Sequence, residues 1–142
     1  MDPEYSARLL SVTAAAATAA PSPQSVLHTA FEAIIRGDFE AFGRWVTDDV
    51  ELSIRGLGEM DGDWQGRDRV IAAARKNFAL LAEQKPEIEG MIAEGDRIAV
   101  LLRESGVFQK DGRPYRVRAV QWFTFAGGQI RRIDEIVAAS AG

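Results

Sequence analysis

The sequence has no cysteine and a single histidine, His28. Without cysteine there is no disulfide, no thiolate metal ligand and no thiol nucleophile. One histidine cannot build a two-histidine zinc site, so no metal site and no resident cofactor are expected. No stretch approaches the roughly 20 apolar residues of a membrane-crossing helix, and no membrane contact is expected. Positive charge is not in excess either. The 17 Lys and Arg are outnumbered by 21 Asp and Glu, leaving a net charge of −4. That balance argues against nucleic acid as a partner. The glycines between Arg55 and Gln65 are not followed by Gly-Lys-Ser/Thr, so they do not form a phosphate-cradling loop. What is present is ordinary for a soluble globular protein: 142 residues, 46% hydrophobic and 27% charged, enough for one domain.

Residues 1–24 differ from the rest. Ala14 to Ala20 is nearly all alanine, and Pro21-Ser22-Pro23 follows. The start carries Asp2 and Glu4 rather than a basic cluster, which does not fit a secretory signal. We read this stretch as an alanine-rich helical arm and linker, residues 25–142 as the domain, and the location as cytoplasmic.

Three helical patterns open the domain. Val26, Leu27, Ala30, Phe31, Ile34 and Ile35 recur at helical spacing, with Ser25 as a candidate cap and Gly37 as the stop. Asp38 caps a short second helix carrying Phe39, Phe42, Trp45 and Val46, closed by Asp48-Asp49. Val50–Ile54 reads as a strand and 55–65 as a loop. Gly66-Arg67-Asp68 opens a third helix with Val70, Ile71, Ala74, Phe78 and Leu81 on one face, bounded by Pro86. Beyond Pro86 the period becomes two. Glu87–Glu94, Arg97–Phe108, Tyr115–Phe125 and Gln129–Ala138 read as consecutive strands broken at plausible hairpin turns. Helices first and a strand meander afterwards is an α+β pattern.

Several runs then become specific in combination: Ala33-Ile-Ile-Arg-Gly-Asp38, Trp45-Val-Thr-Asp-Asp-Val50, Gly66-Arg-Asp-Arg-Val70, Gly95-Asp-Arg-Ile-Ala-Val100 and Phe123-Thr-Phe-Ala-Gly-Gly-Gln-Ile130. In this order and spacing they resemble the nuclear transport factor 2-like superfamily, and within it the SnoaL-like domains, relatives of ketosteroid isomerase and limonene epoxide hydrolase. The resemblance covers about residues 24–138. It implies a cone-shaped roll: three N-terminal helices packed in a curved, mainly antiparallel sheet around an apolar pocket.

It also allows each family site to be tested by position. The isomerase general base falls at Ile54, its tyrosine donor at Ala30 and its protonated aspartate at Gln121. Carbon-bound proton abstraction by the usual isomerase arrangement therefore lacks its base. The hydrolase arginine falls at Arg103, its two aspartates at Ser105 and Glu135, and its water-holding pair at Leu52 and Ile54. The acidic residue of the cyclases falls near Glu135.

The resemblance also sets which strand faces line the cone. They are Tyr115, Val117, Ala119, Gln121, Phe123 and Phe125; Leu101, Arg103, Ser105 and Val107; and Arg131, Ile133, Glu135 and Val137. Glu135 is then the expected proton carrier, Arg103 its partner or charge stabiliser, and Gln121 a hydrogen-bond donor. Ile54, Ser105, Tyr115, Ala119, Phe123 and Ile133 are expected on the ligand-facing wall, with Trp45 at its rim. The opposite face would carry Val100, Leu102, Val120, Trp122, Ile130 and Ile136, too apolar for open water, so a homodimer through the outer sheet face is expected. Arg116, Arg118 and Arg132 on that face read as ion-paired groups rather than an anion site. Two functional readings stay open. One is a small, mostly apolar organic molecule bound and converted by cofactor-independent isomerase, cyclase or hydrolase chemistry. The other is a dimeric ligand-binding or interaction module without catalysis.

Overall fold

The computed structural model describes residues 21–139; residues 1–20 of the expected arm lie outside them. The chain forms helix α1 (Pro23–Ile35), helix α2 (Phe39–Gly43), strand β1 (Val46–Arg55), a 3-10 turn (Gly58–Met60) and strand β2 (Gly62–Gln65). Helix α3 (Arg67–Ala79) and strands β3 (Leu81–Glu94), β4 (Arg97–Phe108), β5 (Pro114–Ala126) and β6 (Gln129–Ala139) follow. The six strands make one sheet in the order β2-β1-β6-β5-β4-β3. Only β1 and β6 pair in parallel; every other neighbour is antiparallel. Three helices on a curved, mixed sheet is the expected α+β class.

Local chemistry sets the helix ends. Ser22, not Ser25, caps α1: its hydroxyl accepts the Ser25 N–H at 3.2 Å, and Pro23 fills the first turn, where a missing N–H costs nothing. Val26, Leu27, Ala30 and Ala33 form its buried stripe. Asp38 caps α2 by accepting the Ala41 N–H at 3.1 Å, as expected. Helix α2 is shorter than its apolar pattern suggests. Val46 and Val50 already belong to β1, where both are fully buried. Arg67 at the start of α3 ties the helix to that strand through the Val46 carbonyl at 2.8 Å and Asp48 at 2.6 Å.

Two further boundaries differ from expectation. The third helix stops at Ala79, and Leu81 starts a long strand that contains Pro86. That strand is the sheet edge, where a residue without an N–H is tolerated. The loop over 55–65 contains the 3-10 turn and a short strand paired back onto β1.

The core lies between the helices and the inner face of the sheet. On β4 the inward residues are Ile98, Val100, Leu102 and Glu104, opposite Phe123, Gln121, Ala119 and Val117 of β5. The expected β4 register was therefore one residue out. Val100 and Leu102 are buried inside, while Leu101 and Arg103 face outward. Strand β5 has its expected orientation. On β6 a register shift leaves Arg131 as an extra residue, so that Ile130 and Ile133 both reach the core. Ile130, expected outside, is 1% exposed.

At the end of β1 the chain turns away beneath β6. Gly56 has φ +102°, and a Cβ there would lie 1.9 Å from the Val137 carbonyl oxygen. Backbone sits on both sides of that contact, so no side-chain rotation relieves it. Gly56→Ala is expected to cost about 3 kcal/mol and lower the thermal midpoint by roughly 10 °C. A midpoint within 2–3 °C of wild type in a calorimetric scan, roughly the effect of 1 kcal/mol or less, would show that the turn relaxes freely.

Candidate functional site

Between α1, α3 and the inner face of the sheet lies a cavity of about 190 Å³. Its walls are mainly apolar, with Phe31, Leu52, Ile54, Leu102, Phe123 and Ile133 among them. Five polar side chains interrupt this lining: Asn77, Gln84, Glu104, Gln121 and Glu135.

The strand register brings Gln121 and Glu135 together. They are direct partners across β5 and β6, both on the inner face. The Gln121 Nε2 donates a short hydrogen bond to the Glu135 carboxylate. Burial pushes the Glu135 carboxyl above the ordinary glutamate range; the Gln121 hydrogen bond opposes this, and the charge of Glu104 adds to the rise. The other amide atom, Gln121 Oε1, is buried without a hydrogen-bond partner.

Glu104 sits two inward rows further along the sheet, roughly 13 Å of strand away. It accepts from the Tyr115 hydroxyl at 2.7 Å and from Gln84 Nε2 at 3.0 Å. Burial first, then the hydrogen bond and charge of Glu104, push the Tyr115 phenol far up, so it stays a donor at any physiological pH. Gly106 makes room for this ring: a Cβ there would lie 2.6 Å from Tyr115 and 2.2 Å from the Glu83 carbonyl. The cavity thus holds a carboxyl group at each of two places, supported by different donors. Among the described residues no cluster of three or more His, Asp or Glu side chains is placed to hold a metal ion.

The family model of the SnoaL-like domain matches residues 27–133. The chain belongs to the SnoaL-like domain family. Solved structures agree on the fold. A nuclear transport factor 2-like protein from Burkholderia xenovorans LB400 superposes with a TM-score of 0.71 at 19% identity, over 82% of this chain and 88% of that one. A protein assigned as a SnoaL-like polyketide cyclase from Jannaschia sp. CCS1 gives 0.72 at 18% identity, over 81% and 84%. One assigned as a ketosteroid isomerase from Kribbella flavida DSM 17836 gives 0.64 at 14% identity, over 84% and 80%. A search of curated protein sequences returned no match.

Within this SnoaL-like domain the expected site residues divide. Gln121, Glu135, Ile54, Phe123 and Ile133 line the cavity. Tyr115 reaches it through Glu104. Ala119 is buried in the sheet between these groups without lining the cavity. Arg103 does not meet Glu135. It lies on the outer face, bonded to Glu89 at 2.8 Å, because β4 turns its odd-numbered residues outward. Ser105 lies outward for the same reason, paired with Arg116 across the ladder. Trp45 packs against the core but does not line the cavity. Glu104, Gln84 and Asn77 were not foreseen. The run Ile98, Val100, Leu102 carried the signal for Glu104, since the next residue of that alternation is Glu104 itself. His28 lies at the helix surface, 3.2 Å from Glu32.

The raised Glu135 makes stability depend on pH. Its folded state holds a proton more tightly than the unfolded chain, so it contributes stability that is fully present below the ordinary glutamate value of about 4.3 and lost as pH rises through the folded value. Glu135→Gln removes this dependence. The variant is expected to match wild type near pH 4 and to be the more stable protein at pH 7. Urea unfolding at the two pH values checks this, and a constant difference between the proteins would contradict it.

Proposed function

We propose that this SnoaL-like domain binds a small, mostly apolar organic molecule in a cone formed by the helices and the sheet, and that Glu135 exchanges a proton with it. The observation that carries the reading is one carboxyl group, buried in an apolar cavity and held by Gln121. Such a group takes up a proton more readily than a solvated carboxylate and is a stronger base than one once ionised. The fitting ligand has a carbonyl beside an acidic carbon. Glu135 takes the proton from that carbon, leaving an enolate, and returns it to the same or a neighbouring carbon, with no net change in oxidation state. The Gln121 N–H holds the carboxylate in place. Asn77, whose amide has no hydrogen-bond partner among the described residues, is the donor available for the developing oxyanion. This is isomerase chemistry by proton transfer alone. In a cyclase the enolate carbon would instead attack a second carbonyl of the same ligand, forming the ring C–C bond, and Glu135 would return the proton to the resulting alkoxide. The cyclase and isomerase assignments of the structural relatives support the reading. Among the described residues no helix is long and apolar enough to cross a membrane, and the reading uses a soluble, cytoplasmic protein.

The partner proposed for the outer sheet face is a second copy of the chain. Leu101, Val120 and Ile136 form one row across three strands there, and Ala99 and Trp122 flank it. Ile136 is 66% exposed, Ile92 on the edge strand 75% and Trp122 41%. Glu89 with Arg103 and Arg118 makes a net positive group on one side of the row. Arg132 with Glu51 and Asp134 makes a net negative group on the other. A two-fold axis through the row sets each group against its opposite in the second copy. These ion pairs also account for Arg118 and Arg132 without an anion.

Three experiments follow. A thermal-shift screen against steroids, terpene epoxides and aromatic polyketides finds the ligand, because a compound at 100 times its dissociation constant adds about 2.7 kcal/mol of stability. Exchange of the ligand's acidic carbon-bound hydrogen in deuterium oxide is then followed by proton NMR. Glu135→Gln should slow exchange by about 100-fold or more and leave affinity within about tenfold. Exchange at the wild-type rate removes Glu135 from the mechanism; binding with no exchange in wild type makes the domain a sequestering module. For the dimer, Trp122→Glu should give monomers in sedimentation velocity where wild type gives dimers. A wild-type monomer at micromolar concentration would overturn that assignment.

A further inference from the structure

A second cavity, of about 490 Å³, lies between α1 and the edge of the sheet. Leu27, Phe31 and Ile35 of α1 form the ridge between it and the first cavity, and Ile88, Met91 and Val100 of β3 and β4 form its apolar floor. Its rim on α1 is Gln24, His28, Glu32 and Arg36, spaced by four from the first turn of the helix to its cap. The groove thus runs along the whole of α1, about 18 Å at a rise of about 1.5 Å per residue. Ile88 on its floor is 38% exposed. An open apolar groove of this length with a charged rim marks a surface that binds something.

The chain's own N-terminal stretch fits it in position, length and charge. The described residues begin at Pro21, three residues before Gln24, at one end of the groove. Proline there stops a helix, and a turn of a few residues is enough to join two antiparallel helices. Residues 4 and 16 are as far apart in sequence as Gln24 and Arg36. Tyr5, Leu9, Val12 and Ala16 recur at helical spacing as one apolar stripe, with Glu4 and Arg8 along its border. A return centred near residue 20 sets Ala16 against Gln24 and Val12 against His28. The same return sets Arg8 against Glu32 and Glu4 against Arg36, so opposite charges meet twice. Glu32 and Arg36 have only exposed local partners, His28 at 3.2 Å and Asp38 at 3.5 Å, and their side chains remain 60% and 55% exposed.

We propose that residues 4–20 fold back antiparallel to α1 and cover this groove, with Tyr5, Leu9 and Val12 over its apolar floor, Arg8 beside Glu32 and Glu4 beside Arg36. The inference does not depend on the ligand reading of the first cavity. The groove is on the inner side of the sheet, so the cover leaves the row of Leu101, Val120 and Ile136 open to a second copy.

The lack of cysteine makes the test direct, because two introduced thiols are the only ones in the full chain. Arg8→Cys is combined with Glu32→Cys at the expected contact, or with Lys76→Cys on α3 as the control. Glu32 and Lys76 are both exposed, so neither replacement disturbs the core. With a short bis-maleimide, the Glu32 pair should cross-link within one chain about tenfold or more faster than the Lys76 pair, read by mass spectrometry. Equal rates, or no cross-link in either pair, would overturn the proposal. Cross-links that join two chains at the Glu32 pair would overturn it too, since the groove would then be covered by the other copy's arm. Amide exchange over residues 5–16 is an independent readout. A lone helix of this length is marginal in water, so slow exchange there requires packing. Exchange should be about tenfold or more slower than in an unstructured peptide. Ile88→Asp puts a charge on the floor of the groove and should remove most of that protection while the protein still melts cooperatively; Ile88→Ser serves if the aspartate variant does not fold. Exchange at the unstructured rate in wild type, or protection that both Ile88 variants leave unchanged, counts against the docked arm and leaves the groove to another occupant.

Discussion

The hydrogen bond from Gln121 to Glu135 spans two central strands at the place where the sheet faces the helices. Its position follows from register alone. Moving either strand by one residue would turn one partner out to solvent and bring Val120, Trp122, Asp134 or Ile136 inside. Burial makes this pair costly when Glu135 is ionised, and a single amide donor does not remove that cost. The same cost raises the proton affinity of the carboxyl. Stability lost at neutral pH and readiness to exchange a proton are therefore one physical property of one residue.

How much of this could be read from the sequence depended on whether a strand kept its period. Helix α1, the Asp38 cap and the meander follow from spacing and capping chemistry, whereas the inward face of β5, and with it Gln121 and Glu135, came from the family resemblance. Strand β4 failed for an identifiable reason. Two neighbouring apolar residues, Leu101 and Leu102, make either face plausible, and placing Arg103 by family resemblance selected the wrong one. The uninterrupted series Ile98, Val100, Leu102 points the other way, toward Glu104. Strand β6 hides its register differently. The extra residue at Arg131 moves Ile130 inward while leaving Ile133, Glu135 and Val137 where simple alternation puts them. A bulge has no residue signature in that segment, so only the pairing with β5 reveals it.

The edge strand was the least legible element: it contains a proline, and its register shifts twice, first between Leu81 and Glu83. Pro86 looked like a helix boundary because proline ends helices, yet an edge strand tolerates it equally well. Its register also shifts between Ile88 and Gly90, leaving Glu89 as the extra residue. That shift lets Ile88 and Met91 both face α1 across a separate cavity of about 490 Å³, while Glu89 reaches Arg103 and Arg118 on the opposite face. A strictly alternating strand would put Ile88 and Met91 on opposite faces.

The two faces of the sheet treat their charges in opposite ways. Outside, carboxylates meet arginines in exposed clusters, where each bond is screened by water and adds little stability. Inside, the carboxyls of Glu104 and Glu135 have no cation among their hydrogen-bond partners and rely on neutral donors: Tyr115 and Gln84 for one, Gln121 for the other. An arginine in the cavity would pair with Glu135 and hold it ionised. With Arg103 turned outward, the carboxyl keeps its raised proton affinity. The strand orientation that removes Arg103 from the expected site is thus the one that leaves Glu135 buried without a cation beside it.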